Sequence, residues 1–291
     1  MKSLVKEEDW KRMDNTLMST QIPAAGFAII GGSSTFSIKF PEALGEPDIA
    51  VLEEGLVFET PFGASPPLTL FKLGDKSVLT CKMHGWRRSA TRAAASRQIF
   101  WVFREAGVGR ILVEGGVGAI NHLLNPRDIV LPTDYIDNSM RKAVNIGSDY
   151  LLVMRKAICP ELHANLAAAA TKHAPGRIFE RGIYANTDGR HFESPAEVAV
   201  LKQWGADVVG QSICPEVYLA REIGACYAGM YLVVNYAEGV VQDWTHEELS
   251  DIFYGESEMV GKSLLDALRS TDATAVCECA SLRKHTLLKE D

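Results

Sequence analysis

Four polar clusters in the sequence each stand directly after an apolar run of strand length, and each carries residue types suited to holding a small anionic or polar ligand. The run AAGFAII (24–30) breaks into Gly31-Gly32-Ser33-Ser34-Thr35. Two glycines let a backbone come close to a ligand, and consecutive amides and hydroxyls can cradle an oxyanion, although the same residues also make an ordinary turn. The run SVLTCKM (77–83) leads into Lys82, His84, Arg87 and Arg88, a set of cations and an imidazole that reads either as an anion clamp or as a solvated basic loop. Residues 110–113 lead into Glu114-Gly115-Gly116-Val117-Gly118. No convincing helix opens immediately after these glycines, so they fall short of a dinucleotide fingerprint, but they bring an anion or a sugar close to backbone amides. The fourth cluster is spread over 182–235, where Glu193, Gln211, Ser212 and Asn235 follow short β-rich runs.

The elements that must position these residues are well signalled. Within 182–235, Ser194-Pro195-Ala196-Glu197 combines an N-cap hydroxyl, a first-turn proline and the glutamate of a capping box. A second helix, opened by Pro215, runs over 215–223. Three strands therefore end at polar residues, 188–193, Gln211-Ser212 and Asn235, and the carboxyl ends of strands in an open α/β sheet are where ligands bind. Further helices are predicted over 91–106, with Ile99, Val102 and Phe103 on one face, and over the alanine-rich 162–173. Thr245-His246-Glu247-Glu248 is another capping box, opening an amphipathic helix expected to run on towards Arg269. His246 lies in its first turn, where the positive end of the helix dipole keeps an imidazole neutral.

A chain of 291 residues with 47% hydrophobic and 23% charged residues can bury one large core, and no linker interrupts it. The expected organisation is a loose arm over 1–21, one α/β domain over 22–270 and a flexible tail over 271–291. A net charge of −7 argues against non-specific nucleic-acid binding. No apolar run reaches the roughly 18 residues of a membrane span and no signal peptide is evident, so a cytoplasmic protein is expected. The scattered cysteines fit a reducing compartment. Cys277-Glu278-Cys279 is too closely spaced and has no second pair in sequence, so it reads as two ordinary thiols, and no metal site is expected.

Gly31-Gly32-Ser33, Lys82-x-His84, Gly115-Gly116-x-Gly118, Gly189-x-x-Phe192-Glu193-Ser194-x-Ala196-Glu197, 205–217, Asn235 and His246 occur in the order found in trimeric purine nucleoside phosphorylases. Over about 24–268 the chain resembles that family, including its methylthioadenosine phosphorylase branch. The resemblance implies a single α/β domain with a mixed central β-sheet flanked by helices, and a homotrimer or a dimer of trimers. It implies phosphorolysis of a purine nucleoside to free base and pentose 1-phosphate, with inorganic phosphate as co-substrate and no cofactor. By the same resemblance Ser33, Lys82, His84, the Gly116 amide and Ser212 hold phosphate, while Phe192, Glu193 and Asn235 hold the purine. Gln211 and His246 fall at ribose positions, and Asn235, Glu193 and His84 are the expected catalytic residues.

Glu193 and Asn235 stand where 6-oxopurine enzymes hold N1–H, N7 and O6, and His246 matches a histidine that holds the ribose 5′-hydroxyl. Inosine or guanosine is therefore the expected substrate. The alternatives are methylthioadenosine or methylthioinosine, a phosphate-independent nucleosidase, or a silent nucleoside-binding protein. Several positions depart from the family pattern. Met83 and Lys82 stand where members carry an arginine, Gly115 replaces a Thr or Asn, Gln211 replaces a methionine, and Arg190-His191 replaces a Pro-containing pair. Arg87 and Arg190 are the candidates for restoring the missing cation.

Overall fold

The computed structural model describes residues 21–174 and 176–286, so the arm expected over 1–21 lies outside the described residues except for Gln21. The chain opens with β1 (Phe27–Ile30), a single helical turn α1 (Ser33–Phe36), β2 (Ile49–Leu56), β3 (Leu68–Leu73), β4 (Lys76–Cys81) and α2 (Arg92–Ala106). It continues with β5 (Arg110–Ala119), β6 (Ile129–Val130), β7 (Asp134–Asp137), β8 (Tyr150–Leu152), α3 (Pro160–His173), β9 (Ile178–Phe179) and β10 (Ile183–Asn186). The last elements are α4 (Pro195–Gln203), β11 (Val208–Gly210), α5 (Ile213–Ile223), β12 (Cys226–Tyr236), α6 (His246–Gly255), α7 (Ser257–Ser270) and β13 (Arg283–His285).

Except for β8 and β13, the strands form one mixed sheet, as the resemblance implies, and its organisation turns on β5. Along one edge β5 pairs in parallel with β12 over its whole length. The other edge is shared: β1 pairs in parallel with Arg110–Val113, and β11 pairs antiparallel with Gly118 and Ala119. Between these partners, at 114–117, the sheet splits. A split of this kind frees backbone and opens a crevice, as a topological switch point does in doubly wound folds. The glycine-rich stretch 115–118 thus lies inside β5 instead of following it.

Local signals set most of the helices. Thr91 Oγ1 accepts from Ala94 N at 3.2 Å to start α2, whose Ile99, Val102 and Phe103 are fully buried as their spacing predicts. Complete capping boxes open α4 at Ser194 and α6 at Thr245. The helix expected to run from Thr245 towards Arg269 is instead two helices. Glu256 leaves helical geometry between them, and Arg127 bonds both Glu256 and Asp251 across the break. Of the tail expected over 271–291, the described residues 271–286 carry ordered structure. Its β13 pairs antiparallel with β8, and Cys279 and Leu282 are buried.

Candidate active site at the sheet split

The loop after β1 enters the split directly. A side chain at Gly32 would meet Glu114 O at 2.5 Å and Gly115 Cα at 3.0 Å, so only glycine allows this approach. Buried Glu114 then accepts from Gly32 N at 2.5 Å, Thr35 N at 3.0 Å and Thr35 Oγ1 at 2.8 Å. Two of the amides that the sequence offers to an external oxyanion are therefore spent on an internal carboxylate. Ser33, half-buried at the start of α1, is among the members of the predicted cradle that Glu114 does not engage.

The turn after β4 is bent to aim one residue. Met83, His84 and Gly85 all have positive φ, at 49°, 54° and 71°. For non-glycine residues this left-handed geometry costs roughly 1–2 kcal/mol each, the kind of local strain found at functional sites. The surroundings hold it: His84 N donates to Gly31 O at 2.9 Å, and His84 Nδ1 lies 2.8 Å from Glu216 Oε1. Glu216 is fully buried one turn into α5; its other oxygen accepts from Tyr227 OH at 3.2 Å, and Arg92 Nη2 lies 3.7 Å from Oε1. His84 is thus oriented through Nδ1 by a buried carboxylate, which leaves Nε2 for a ligand. Lys82 is exposed, its ammonium 5.9 Å from the centroid of Phe36.

β11 delivers Ser212 to the same place from the opposite direction. A Cβ on Gly115 would lie 3.3 Å from Ser212 Oγ and from the Tyr231 ring, so a larger residue here would press on both. Gly116 is equally confined, because Phe253 of α6 would lie 2.7 Å from a Cβ there. Ser212 is buried, its amide donating to Tyr184 OH at 3.2 Å and its hydroxyl 3.1 Å from the same oxygen.

Two arginines that sequence reasoning missed complete this end of the site. Arg141, 7% exposed, bonds the carbonyl of Thr187 and reaches Gln211 O at 3.4 Å, beside Ser212. Burial first, and then the nearby Arg92 cation, hold its pKa below the ordinary guanidinium range. Buried Nε and Nη2 of Arg92, and Nη1 of Arg141, have no hydrogen-bond acceptor among the described residues. Two neighbouring guanidinium groups with unspent buried donors favour an anion strongly. The candidates read from sequence do not fill that role. Arg87 is committed to Ala64 O at 2.6 Å, Gln98 Oε1 at 2.7 Å and Gly85 O at 3.2 Å, and Arg190 is exposed. A basic residue just inside the N-cap of α2 was the available signal for Arg92. Arg141 lies in an irregular segment without one.

Further along β5 lie the residues assigned to a purine. Asn235 pairs opposite Gly118, where the register between β12 and β5 shifts by a bulge after Val233. Such a bulge re-aims a side chain. Asn235 is buried, and one Nδ2 hydrogen goes to Tyr236 O at 2.7 Å, leaving a second donor and the amide oxygen. Gly115 and Gly118 are three strand residues apart, about 10 Å, which separates the anion end from the Asn235 end. Glu193 is buried and fixed by Thr187 Oγ1 at 2.6 Å. The 191–195 segment meets the loop after β12: Phe192 packs on Trp244 with centroids 4.6 Å apart, and a Cβ on Gly239 would lie 3.0 Å from Pro195.

Two ribose assignments look different in the structure. Gln211 Nε2 donates to His191 O at 3.1 Å, and its Oε1 would lie 2.2 Å from a Cβ on Gly189, whose φ is +86°. Gln211 is thus a clasp on the 187–193 loop. His246 is exposed at the start of α6. Ser33, His84, Gly115 and Ser212 belong to the segments that meet at the split, Asn235 stands opposite Gly118 further along β5, and Glu193 is tied to the end of β10 through Thr187. Lys82 and His246 are both exposed. Among the described residues no helix is long and apolar enough to cross a membrane.

Comparison with known proteins agrees with this geometry. The family model described as the phosphorylase superfamily matches residues 27–269. A 6-oxopurine nucleoside phosphorylase of Pyrococcus furiosus is 30% identical, covering 88% of this chain and 97% of its own. A probable S-methyl-5′-thioinosine phosphorylase of Methanopyrus kandleri is 36% identical, covering 62% of this chain and 72% of its own. Among solved structures, a methylthioadenosine phosphorylase from an antarctic soil metagenomic library shares the fold with a TM-score of 0.73 at 24% identity, covering 84% of this chain and 86% of that one. With the fold, the split sheet and these matches in hand, the chain belongs to the phosphorylase superfamily.

Proposed function

We propose that this protein is a pentosyltransferase that cleaves 6-oxopurine nucleosides, inosine or guanosine, with inorganic phosphate as co-substrate. The observation that carries the reading is the pair of neighbouring guanidinium groups, Arg92 beside the His84–Glu216 pair and Arg141 beside Ser212, with Ser212 at Gly115, about 10 Å along β5 from the residue opposite Asn235. Phosphate held by Ser33, His84, Ser212, the Gly116 amide and the two arginines attacks C1′ as the bond to the purine breaks. Cleavage leaves positive charge on the sugar and negative charge on the base. A donor aimed at the N7/O6 edge, the remaining Nδ2 hydrogen of Asn235, therefore counts most in the transition state. Glu193 accepts N1–H of a 6-oxopurine, whereas N1 of adenine is itself an acceptor and is rejected. Arg92 and Arg141 restore the guanidinium lost at Met83 and Lys82, and Lys82 adds a point charge at the rim.

5′-Methylthioinosine is the second reading, because it shares the 6-oxopurine contacts with Glu193 and Asn235 and differs only at the 5′ position. Two observations favour it: His246 is exposed, and the aromatic pair Phe192–Trp244 offers an apolar surface where the 191–195 segment meets the loop after β12. The 36% identical relative named for methylthioinosine points the same way. The oligomer, a homotrimer or dimer of trimers, and the cytoplasmic location rest on the resemblance and on the free thiols. Release of base from inosine, guanosine, adenosine, methylthioinosine and methylthioadenosine, each with and without phosphate, tests the reading. Phosphate-dependent release from the 6-oxopurine nucleosides is expected. Release of adenine in preference to hypoxanthine, or release that ignores phosphate, overturns it.

A further inference from the structure

The two cysteines of the C-terminal Cys-x-Cys do not stand alone, as the sequence led us to expect. Cys159, Cys226, Cys277 and Cys279 converge so that their four Sγ atoms all lie within 4.8 Å of one another. Cys226 Sγ and Cys277 Sγ lie 3.1 Å apart, well beyond the roughly 2.05 Å of a disulfide. Four thiolates around a tetrahedral ion with bonds of about 2.3 Å would sit about 3.8 Å apart, which is the scale of this cluster. We propose that these four residues form a closed tetrathiolate site for a Zn²⁺ ion.

The backbone places the ligands before any ion arrives. Cys159 is the N-cap of the 14-residue helix α3, with Pro160 at its first position, so helix amides favour a thiolate there. Its own amide donates to Tyr227 O at 2.8 Å, next to Cys226, and Cys226 N donates to Gly109 O at 2.9 Å. Buried Arg221 bonds the carbonyl of Cys279 at 3.0 Å and that of Lys156 at 2.8 Å, tying the C-terminal loop to the loop that carries Cys159. Such outer contacts orient the ligands of a metal site. Ordinary core thiols give no reason for four sulfurs from three distant segments to meet at one point, three of them buried. With four protein ligands the site has no open position, so its role is structural: it staples 277–286 to the start of α3 and β12. Binding releases the thiol protons to solvent and involves no oxidation.

The test is zinc content by plasma mass spectrometry on protein purified under reducing conditions without chelators. About one zinc per chain is expected in the wild type and in a Cys81→Ala control, falling about tenfold or more in the Cys277→Ser/Cys279→Ser double variant. Cobalt exchanged into the wild type should show the visible bands and thiolate charge transfer of a four-sulfur tetrahedral site, a readout that does not require any variant to fold. Zinc-loaded then desalted wild type that retains no stoichiometric metal overturns the proposal. So does metal-free protein whose mass shows these cysteines as disulfides, or a double variant that keeps the wild-type zinc content.

Discussion

Replacing Arg92 by Met separates a phosphate-binding role from a structural one. In the structure Arg92 is 3.7 Å from Glu216, outside hydrogen-bond range, while Glu216 keeps His84 at 2.8 Å and Tyr227 at 3.2 Å without it. Losing the cation beside a fully buried carboxylate costs stability, but Met also removes two buried donors that have no acceptor among the described residues, and the two effects oppose each other. A charge-assisted hydrogen bond from a largely buried guanidinium to phosphate contributes about 1.5–3 kcal/mol, or roughly 10- to 150-fold in affinity. Initial rates at saturating inosine should show KM for phosphate raised by that factor. KM for inosine should change by less than about threefold, and the melting temperature should stay within about 3 °C for a chain of this size. An unchanged phosphate KM, or equal losses for phosphate and inosine, refutes the assignment.

Other positions give independent checks. Glu216→Gln removes the charge that orients His84 and should raise the phosphate KM about tenfold or more, seen in the same assay, with the inosine KM nearly unaffected. Glu193→Gln loses a charged acceptor for N1–H and should lower kcat/KM for inosine by about 10- to 100-fold while shrinking the preference for inosine over adenosine. Gly189→Ala places a Cβ 2.2 Å from Gln211 Oε1 at a φ of +86°, so competition kinetics should show a higher KM for nucleoside than for phosphate. Asp266 is held well below the usual carboxylate range: burial opposes ionisation, but bonds from Lys172, His173 and Arg269 outweigh it. A depressed folded pKa stabilises above the unfolded value, about 3.9, and that increment is lost as pH falls below it. The gap in melting temperature between wild type and Asp266→Asn should accordingly be full at pH 7 and narrow as the pH drops below about 4.

What the sequence made legible was local. Capping boxes at Ser194 and Thr245 and the buried stripe of α2 declared their helices because those signals act within one turn. Ser33, His84, Ser212 and Asn235 each follow an apolar run, and the sheet carries the first three towards the split and Asn235 further along β5. What remained hidden depends on pairing between distant segments. The sharing of one β5 edge by β1 and β11 has no local signal, and it decides that 115–118 lies within a strand. Glu114 occupies Gly32 and Thr35 amides from 79 or more residues away, so the loop after β1 looked freer than it is. Arg92 and Arg141 are ordinary basic residues in sequence, and only α5 and the backbone at Thr187 and Gln211 bring them near each other. Cys159 and Cys226 gave no spacing motif with Cys277 and Cys279, since three separate segments meet there. At the helix break, Glu256 is bonded by Arg127, more than a hundred residues earlier.

The central claim is that phosphate is the nucleophile, and following phosphorus itself tests it most directly. Phosphorus NMR of purified protein with inosine and inorganic phosphate should show phosphate converted to ribose 1-phosphate in equal amount to the hypoxanthine released. Hypoxanthine appearing with free ribose while the phosphate signal stays constant would contradict it.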